Sequence, residues 1–239
     1  MPTLRKVTLL CLALVLGLLG LPLAQAADNR IEIYKDHTDG FYVVTTSGTP
    51  VVKVANGIHN TLYDPNDVIF VIDSSTYGKD YAFPGLDRNS SEGYYTASWD
   101  AEHYFEPGWN APGYRDNGFK EIRIEFTQAT GPAPFAIFGN DPLNEEDENA
   151  TAPFLKDGRY YVEAGTTLPI LGHTHAHWYF EQAGTYTMSG YAVGVREDGT
   201  EVASQPFTEM FRVEKHEEDT RPDQAPIPLL PPDAPPPTP

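Results

Sequence analysis

The sequence is short of basic residues and of cysteine. Its 239 residues include 16 Lys and Arg against 34 Asp and Glu, which gives a formal net charge of -18 at pH 7, and the one cysteine is Cys11. A surface that binds phosphate groups needs clustered Lys and Arg, so this balance argues against nucleic acid as a partner. Hydrophobic residues still make up 40% of the chain. That is enough for one sizeable core and argues against a wholly disordered chain.

Long apolar runs are also scarce, and the one that stands out lies at the N-terminus. Arg5 and Lys6 precede an apolar run from Val7 to Leu21, and a small-x-small cleavage site follows at Ala24–Ala26. This order is typical of a secretory signal peptide over residues 1–26, and the run falls short of the ~20 residues that a transmembrane helix needs. We therefore expect an extracytoplasmic protein (secreted, periplasmic or at the cell surface) with no membrane span after cleavage.

Cleavage after Ala26 would remove Cys11, so the mature chain would contain no cysteine. Disulfides and thiolate metal sites are then both excluded, although the compartment would permit disulfides. Any metal site must therefore be built from His, Asp or Glu side chains.

Helical periodicity is missing as well, since hardly any segment keeps a 3.6-residue apolar period over three turns. Short β-branched and aromatic runs alternate instead with Gly, Pro, Asn and Asp. Regular short strands without intervening helices predict an all-β fold, an antiparallel β-sandwich of Ig-like or jelly-roll-like type. The predicted strands are Ile31–Tyr34, Phe41–Thr46, Val51–Val54, Val68–Ile72, Tyr94–Ser98, Glu121–Thr127, Phe135–Phe138, Tyr160–Glu163, Ala176–Phe180, Thr185–Val195 and Phe207–Val213.

The β-sandwich domain is expected to span residues 27–214. Residues 221–239 hold nine prolines in nineteen positions, and we predict a disordered tail, first charged and then proline-rich, over residues 215–239. Two long loops are predicted inside the domain. One carries the acidic run Glu145–Glu148, which lacks calcium-loop spacing and is interpreted as a solvated charge run. The other, from Gly78 to Gly118, carries the aromatic residues Trp99, Tyr104, Trp109 and Tyr114.

Three of the seven histidines fall within the segment Gly172–Trp178, which reads GHTHAHW. Residues two apart in a strand project from one face, about 6–7 Å apart, so we expect His173, His175 and His177 to line up. Two such imidazoles can converge on one cation, whereas a third in the same line needs a bend or bulge. The simpler interpretation is a histidine row that faces solvent or forms hydrogen bonds.

A second segment, Asp36–Gly40, places His37 and Asp39 two residues apart at the head of a strand. Asp-Gly is also ordinary turn chemistry, so this motif is weak by itself. Together the two segments predict a metal site formed by His37, Asp39 and two of the three histidines His173, His175 and His177. Imidazole with carboxylate suits zinc (Zn²⁺) first, with Cu²⁺, Mn²⁺ or Fe²⁺ as alternatives.

The same segments resemble a known family. The sequence from Gly172 to Val202 is similar to the repeat of actinobacterial surface-anchored proteins, His-x-His-x-x-Trp-x-Phe-x-x-x-Gly-x-Tyr. Upstream, DHTDGFYV resembles the Gly-His-x-Asp opening of the same proteins, whose larger unit is called the choice-of-anchor M domain. The resemblance spans about residues 30–214. The matching positions of the repeat are His173, His175, Trp178, Phe180, Gly184 and Tyr186.

This resemblance implies an extracellular β domain, often encoded beside metal-type ABC transporters and without established enzymatic activity. Asp36 stands where the family usually has Gly, and His177 stands where it more often has Asn. The second difference favours the other four candidates over His177 as ligands. The family's usual C-terminal anchor is not matched, so the resemblance does not imply surface attachment.

Three functions are compatible with these patterns. The first is an exported, non-enzymatic, zinc-binding β domain whose partner is a metal ABC transporter or a cell-surface component. The second is a structural or adhesive β-sandwich that displays loop aromatics such as Trp109 to a polymer or partner. The third is a mononuclear metalloenzyme, because His175, His177 and Glu181 match the centre of the cupin motif, with Glu181 or Glu163 as the base at an open metal. The structural glycines of that motif would fall at Pro169 and Met188.

Overall fold

The computed structural model describes residues 29–57, 60–79, 93–97, 100–140 and 151–230. The expected signal peptide, Trp99, the acidic run Glu145–Glu148 and the chain from residue 231 onward lie outside the described residues. Within them the chain forms β-strands and one-turn 3-10 helices, which confirms the all-β prediction. No helix in the described ranges has the length and apolar character needed to cross a membrane.

The strands are short, as expected for runs bounded by turn residues. The 3-10 turns lie at Pro65–Asp67, Ser74–Thr76 and Lys156–Gly158. In chain order the strands are β1 (Ile31–Ile33), β2 (Asp36–Thr46), β3 (Thr49–Asn56), β4 (Thr61–Tyr63), β5 (Val68–Ile72), β6 (Tyr77–Gly78), β7 (Tyr94–Ala97), β8 (Phe105–Asn110), β9 (Phe119–Gly131), β10 (Phe135–Asn140), β11 (Thr151–Pro153), β12 (Thr167–Ile170), β13 (Thr174–His175), β14 (His177–Phe180), β15 (Gly184–Arg196), β16 (Glu201–Ala203), β17 (Phe207–Val213) and β18 (Ile227–Pro228).

These strands form three sheets. Sheet A has the order β1-β5-β17-β15-β9-β12, with β16 beside β15 and β18 beside β9. Sheet B has the order β13-β8-β2-β3-β4, and sheet C the order β11-β10-β14-β7-β6. Most pairs are antiparallel, as predicted, but β5 lies parallel to both β1 and β17, and β2 lies parallel to β8.

Aromatic side chains from all three sheets meet in one core. Phe41 of sheet B lies 5.7 Å from Phe126 of sheet A and 6.1 Å from Trp178 of sheet C, measured between ring centroids. Phe211 of sheet A lies 5.0 Å from Trp178. Burial alternates along β17, as expected for a strand with one face in the core. Sheets B and C therefore pack against sheet A as a sandwich.

The predicted long loop from Gly78 to Gly118 is wrong in part, because it contains the strand β8. This strand reads FEPGWN, and its Pro and Gly are poor strand formers. Its pairing with β2 and β13, which are distant in sequence, is what holds it extended. Trp109 and Tyr114 are buried rather than displayed. The predicted strand Tyr160–Glu163 is reduced to a single bridge between Tyr161 and Ala136.

The predicted disordered tail is also wrong for residues 215–230, which pack against the domain. Asp219 is buried and accepts a 2.8 Å hydrogen bond from the Tyr95 hydroxyl. Strand β18 pairs with the end of β9, and Leu229 is buried in the core. Proline cannot donate to a ladder, but Leu229 can, and its N–H donates to the Ala129 carbonyl at 2.8 Å. A high proline content is therefore not sufficient to make this segment disordered.

Candidate metal centre

The strand register of sheet B brings the two predicted segments together. Asp39 on β2 is the register partner of Gly108 on β8, and Gly108 is the register partner of His175 on β13. His37, two residues before Asp39, is the partner of Glu106. Because residues two apart share a face of a strand, all five lie on one face of sheet B. It is the face opposite that of Phe105, whose ring packs on Phe70 in the core.

The ligand atoms of four side chains converge on this face. The His173 Nε2 lies 3.1 Å from the Nε2 of His37 and 3.1 Å from the Nε2 of His175. The Asp39 Oδ1 lies 3.3 Å from the His173 Nε2 and 3.9 Å from the His37 Nε2. One ligand atom from each residue falls within 4.8 Å of all the others. Donors about 2.0–2.1 Å from a tetrahedral zinc lie ~3.3 Å apart, so this cluster could hold one metal ion.

Gly108 makes the convergence possible, and sequence reasoning missed it. A Cβ at this position would lie 2.6 Å from the Thr174 carbonyl oxygen, 3.1 Å from the Asp39 Oδ1 and 3.3 Å from the His175 Cε1. A side chain there would therefore push β13 away from β8 and fill the space between two ligands. A glycine inside a strand commonly marks such a close approach, and this is the signal that was available in the sequence.

Gly40 has a different role, because it forms a β-bulge in β2. The pairing of β2 shifts register between Asp39 and Phe41 against β8, and between Asp39 and Tyr42 against β3. A bulge re-aims the side chains on either side of it. Asp39 accordingly points to the histidines while Phe41 is fully buried in the core. The Asp39-Gly40 pair therefore lies at a bulge within a strand rather than in a turn.

The four side chains form a gradient of exposure. The side chain of Asp39 is 3% exposed, that of His175 20%, that of His37 33% and that of His173 44%. The carboxylate therefore forms the floor of the site, and His173 lies at its mouth.

Burial sets the protonation of the inner groups. Burial raises the pKa of Asp39 above its ordinary value, and the nearby His173 and His37 and a hydrogen bond with Asn110 offset only part of this rise. Desolvation lowers the pKa of His175 to about 4, and the neighbouring His37 and His173 add to the effect. The imidazole of His175 is consequently neutral at pH 7, which is the form that binds a metal. Among the described residues the buried Asp39 Oδ1 has no hydrogen-bond partner. A bound cation would compensate the cost of burying this oxygen.

His177 lies outside this cluster, so the prediction that three histidines share one strand face is wrong. The chain leaves sheet B after His175 and enters sheet C at His177, with the buried Ala176 between them. The His177 Nε2 lies 3.1 Å from the Asn140 Oδ1, and its ring stacks on Phe138 with centroids 5.4 Å apart. Burial lowers the pKa of His177.

The described residues on which the two alternative functions depend are buried or lie outside this cluster. Trp109 is 2% exposed and packs edge-on against Phe154, so it cannot act as an adhesive anchor on the surface. The cupin-like centre is not formed, because the ligand group contains neither His177 nor Glu181. Glu181 accepts a hydrogen bond from the Tyr161 hydroxyl, and Glu163 forms an ion pair with Arg159.

No protein-family model, curated protein or solved structure matches this chain. The functional argument therefore rests on the geometry of the four side chains.

Proposed function

We propose that this protein is an exported domain that binds a divalent transition metal, zinc first, through His37, Asp39, His173 and His175, and that it holds the ion rather than performing catalysis with it. The observation that carries the proposal is the convergence of three imidazole nitrogens and one buried carboxylate oxygen within 4.8 Å. Two of these residues come from β2 and two from the segment that leads into and forms β13.

The donor set favours zinc over the hard cations. Calcium and magnesium prefer oxygen ligands throughout, whereas imidazole suits Zn²⁺, Cu²⁺ and similar ions. Three histidines and one carboxylate fill the four positions of a tetrahedral zinc with protein atoms. Catalytic zinc sites usually keep one position for water, so a complete protein shell supports a binding role over an enzymatic one.

Capture from solution is supported by exposure and charge. His173 at the mouth is 44% exposed, so an ion can reach the site without unfolding of the core. The net charge of -18 gives the molecule a negative field that favours the approach of cations. The resemblance to surface-anchored proteins belongs to the same proposal, with a metal ABC transporter or a cell-surface component as the partner that receives the ion.

Isothermal titration of chelator-treated protein tests the proposal. We expect one zinc ion per chain, and the double variant His173→Ala with His175→Ala to weaken binding at least about 100-fold because it removes two of four ligands. His177→Ala is the matched control, since it removes an imidazole from the same segment but outside the cluster. Zinc binding no tighter than about millimolar, or binding that the double variant leaves unchanged, would contradict the proposal.

A further inference from the structure

Glu106 lies directly beside the proposed metal ligands but is not one of them. It precedes Gly108 by two residues on β8 and therefore projects from the same face of sheet B. Its Oε1 lies 3.6 Å from the Nδ1 of His175, and the two side chains are 19% and 20% exposed. Glu106 is not one of the four residues whose ligand atoms all lie within 4.8 Å of one another.

The two ring nitrogens of His175 have different surroundings. Its Nε2 points at the Nε2 of His173, 3.1 Å away, where the ion would be bound. Its Nδ1 is buried and has no hydrogen-bond partner among the described residues. A neutral imidazole carries its proton on one nitrogen only, so Nε2 can bind a metal only when the proton is on Nδ1. That buried N–H then needs an acceptor.

We infer that Glu106 is the positioning residue that supplies this acceptor. The inference rests on the proposed function and adds a group that acts on the ion through His175. When the ion binds, the Nδ1–H of His175 donates to the Glu106 carboxylate, whose Oε1 approaches from 3.6 Å to a normal charge-assisted distance of about 2.8 Å. This contact fixes the tautomer and ring orientation of His175 and makes its Nε2 a stronger ligand.

Charge balance points the same way. Three neutral imidazoles and Asp39 give the ligand group one negative charge, which leaves a divalent ion half-compensated. Glu106 adds a second negative charge beside the cluster without occupying a coordination position. A doubly charged cation is then neutralised locally, whereas a monovalent cation would leave an excess of negative charge.

The test compares Glu106→Ala and Glu106→Gln with the unaltered full chain, using zinc titration against a competing chelator. Glu106→Ala should weaken zinc binding about 10–100-fold. Glu106→Gln keeps an acceptor but loses the charge, so its zinc affinity should lie between those of Glu106→Ala and the unaltered chain. Glu102→Ala is the matched control, because it removes an exposed carboxylate just before the same strand and should leave the affinity unchanged.

The tautomer of His175 supplies a readout that a merely structural role would not move. In zinc-loaded unaltered protein, ¹⁵N NMR should show the proton on Nδ1, with the signal sharp and slow to exchange. In Glu106→Ala that proton should exchange faster, while the melting temperature of the metal-free variant stays near that of the unaltered chain. If the alanine variant fails to fold, Glu106→Gln replaces it, and the same proton should then exchange faster than in the unaltered protein, by a smaller factor, because a neutral amide oxygen accepts the hydrogen bond more weakly than a carboxylate.

The outcomes separate the two proposals. If the unaltered chain binds no zinc, the proposed function falls and this inference falls with it. If zinc binds and the His173 and His175 substitutions abolish binding while both Glu106 variants bind normally, the role of Glu106 alone is overturned. Equal weakening by Glu106→Ala and Glu102→Ala would also overturn it, because the effect would then come from general charge.

Discussion

At the scale of single residues, the candidate metal centre depends on the absence of a Cβ atom at Gly108. Its two cross-strand neighbours are both proposed ligands, Asp39 on one side and His175 on the other. A sheet normally separates such neighbours by a side chain on the middle strand. Here the missing Cβ opens the space into which the carboxylate and the imidazoles project.

Gly108→Ala should therefore damage the site. The added Cβ would lie 2.6 Å from the Thr174 carbonyl oxygen, and backbone cannot yield as a flexible side chain can. We expect zinc affinity to fall at least about tenfold and the free energy of unfolding to fall by about 1–3 kcal/mol, as for other overpacked sites. Zinc titration and urea unfolding measure the two effects.

Gly172→Ala is the matched control for this substitution, because Gly172 adjoins His173 yet a Cβ there would meet no atom within 4 Å. This substitution should leave the zinc affinity and the free energy of unfolding close to those of the unaltered chain. Normal zinc affinity in Gly108→Ala would show that β13 can shift without loss of the site, against the geometry described above.

At the scale of elements, the sequence predicts best where burial follows a simple alternation or an unbroken apolar run. The predicted strands Val68–Ile72 and Phe207–Val213 coincide with β5 and β17. The strand β8 was not predictable from its own residues, because its extended form comes from partners that are distant in sequence. Residue type and spacing predicted that His37 and Asp39 lie near two of the three histidines of Gly172–Trp178, and the structure brings His173 and His175 to them. The expected alignment of His177 with these two is wrong, because the chain changes sheets at Ala176.

The segment 215–230 is a structural element in which Asp219 and Arg221 pair with each other and also bond to the domain, through the Tyr95 hydroxyl and the Glu181 carbonyl. The Arg221 Nε and Nη2 donate to the two oxygens of Asp219 at 2.8 and 3.0 Å, and the Arg221 Nη1 donates to the Glu181 carbonyl. The Asp219 side chain is 1% exposed, and the hydrogen bonds from Arg221 and Tyr95 lower its pKa against the effect of burial. Loss of the guanidinium would leave a buried carboxylate short of donors.

Arg221→Ala should consequently lower the free energy of unfolding by ~2–4 kcal/mol, a cost typical of breaking one side of a buried pair. Lys53→Ala serves as the control, because its pair with Asp64 spans 3.9 Å between partly exposed side chains and should contribute less than about 1 kcal/mol. Urea unfolding followed by intrinsic fluorescence measures both. Equal losses in the two variants would mean that the interactions of Arg221 stabilise the fold no more than an exposed ion pair does.

At the scale of the whole molecule, stability should depend on pH through a carboxyl group in the core. Glu209 is fully buried on the inward face of β17, between Phe207 and Phe211, beside Gly40 and Phe70. Neither of its oxygens has a hydrogen-bond partner among the described residues, and burial raises its pKa from 4.5 to about 8. The core therefore holds this side chain in its neutral, protonated form at pH 7.

The direction of the effect follows from proton binding. Between pH 4.5 and about 8 the folded chain keeps a proton on Glu209 that the unfolded chain releases, so the free energy of unfolding falls as pH rises through this range. His175 in the metal-free protein acts in the opposite sense, because its folded pKa of about 4 lies below the unfolded value of 6.5. Its contribution to stability grows as pH rises from 4 to 6.5 and is complete above that, so the two effects separate above pH 6.5.

Glu209→Gln should flatten this dependence. The amide keeps the shape of the neutral carboxyl group but cannot ionise, so the variant should lose little stability between pH 6.5 and 8, where the unaltered chain loses progressively more. Urea unfolding of chelator-treated protein at several pH values in this range gives the slope for each. Glu102→Gln, which alters an exposed side chain, should keep the slope of the unaltered chain. A Glu209→Gln variant whose stability still falls as steeply as that of the unaltered chain would place the titrating group elsewhere in the molecule.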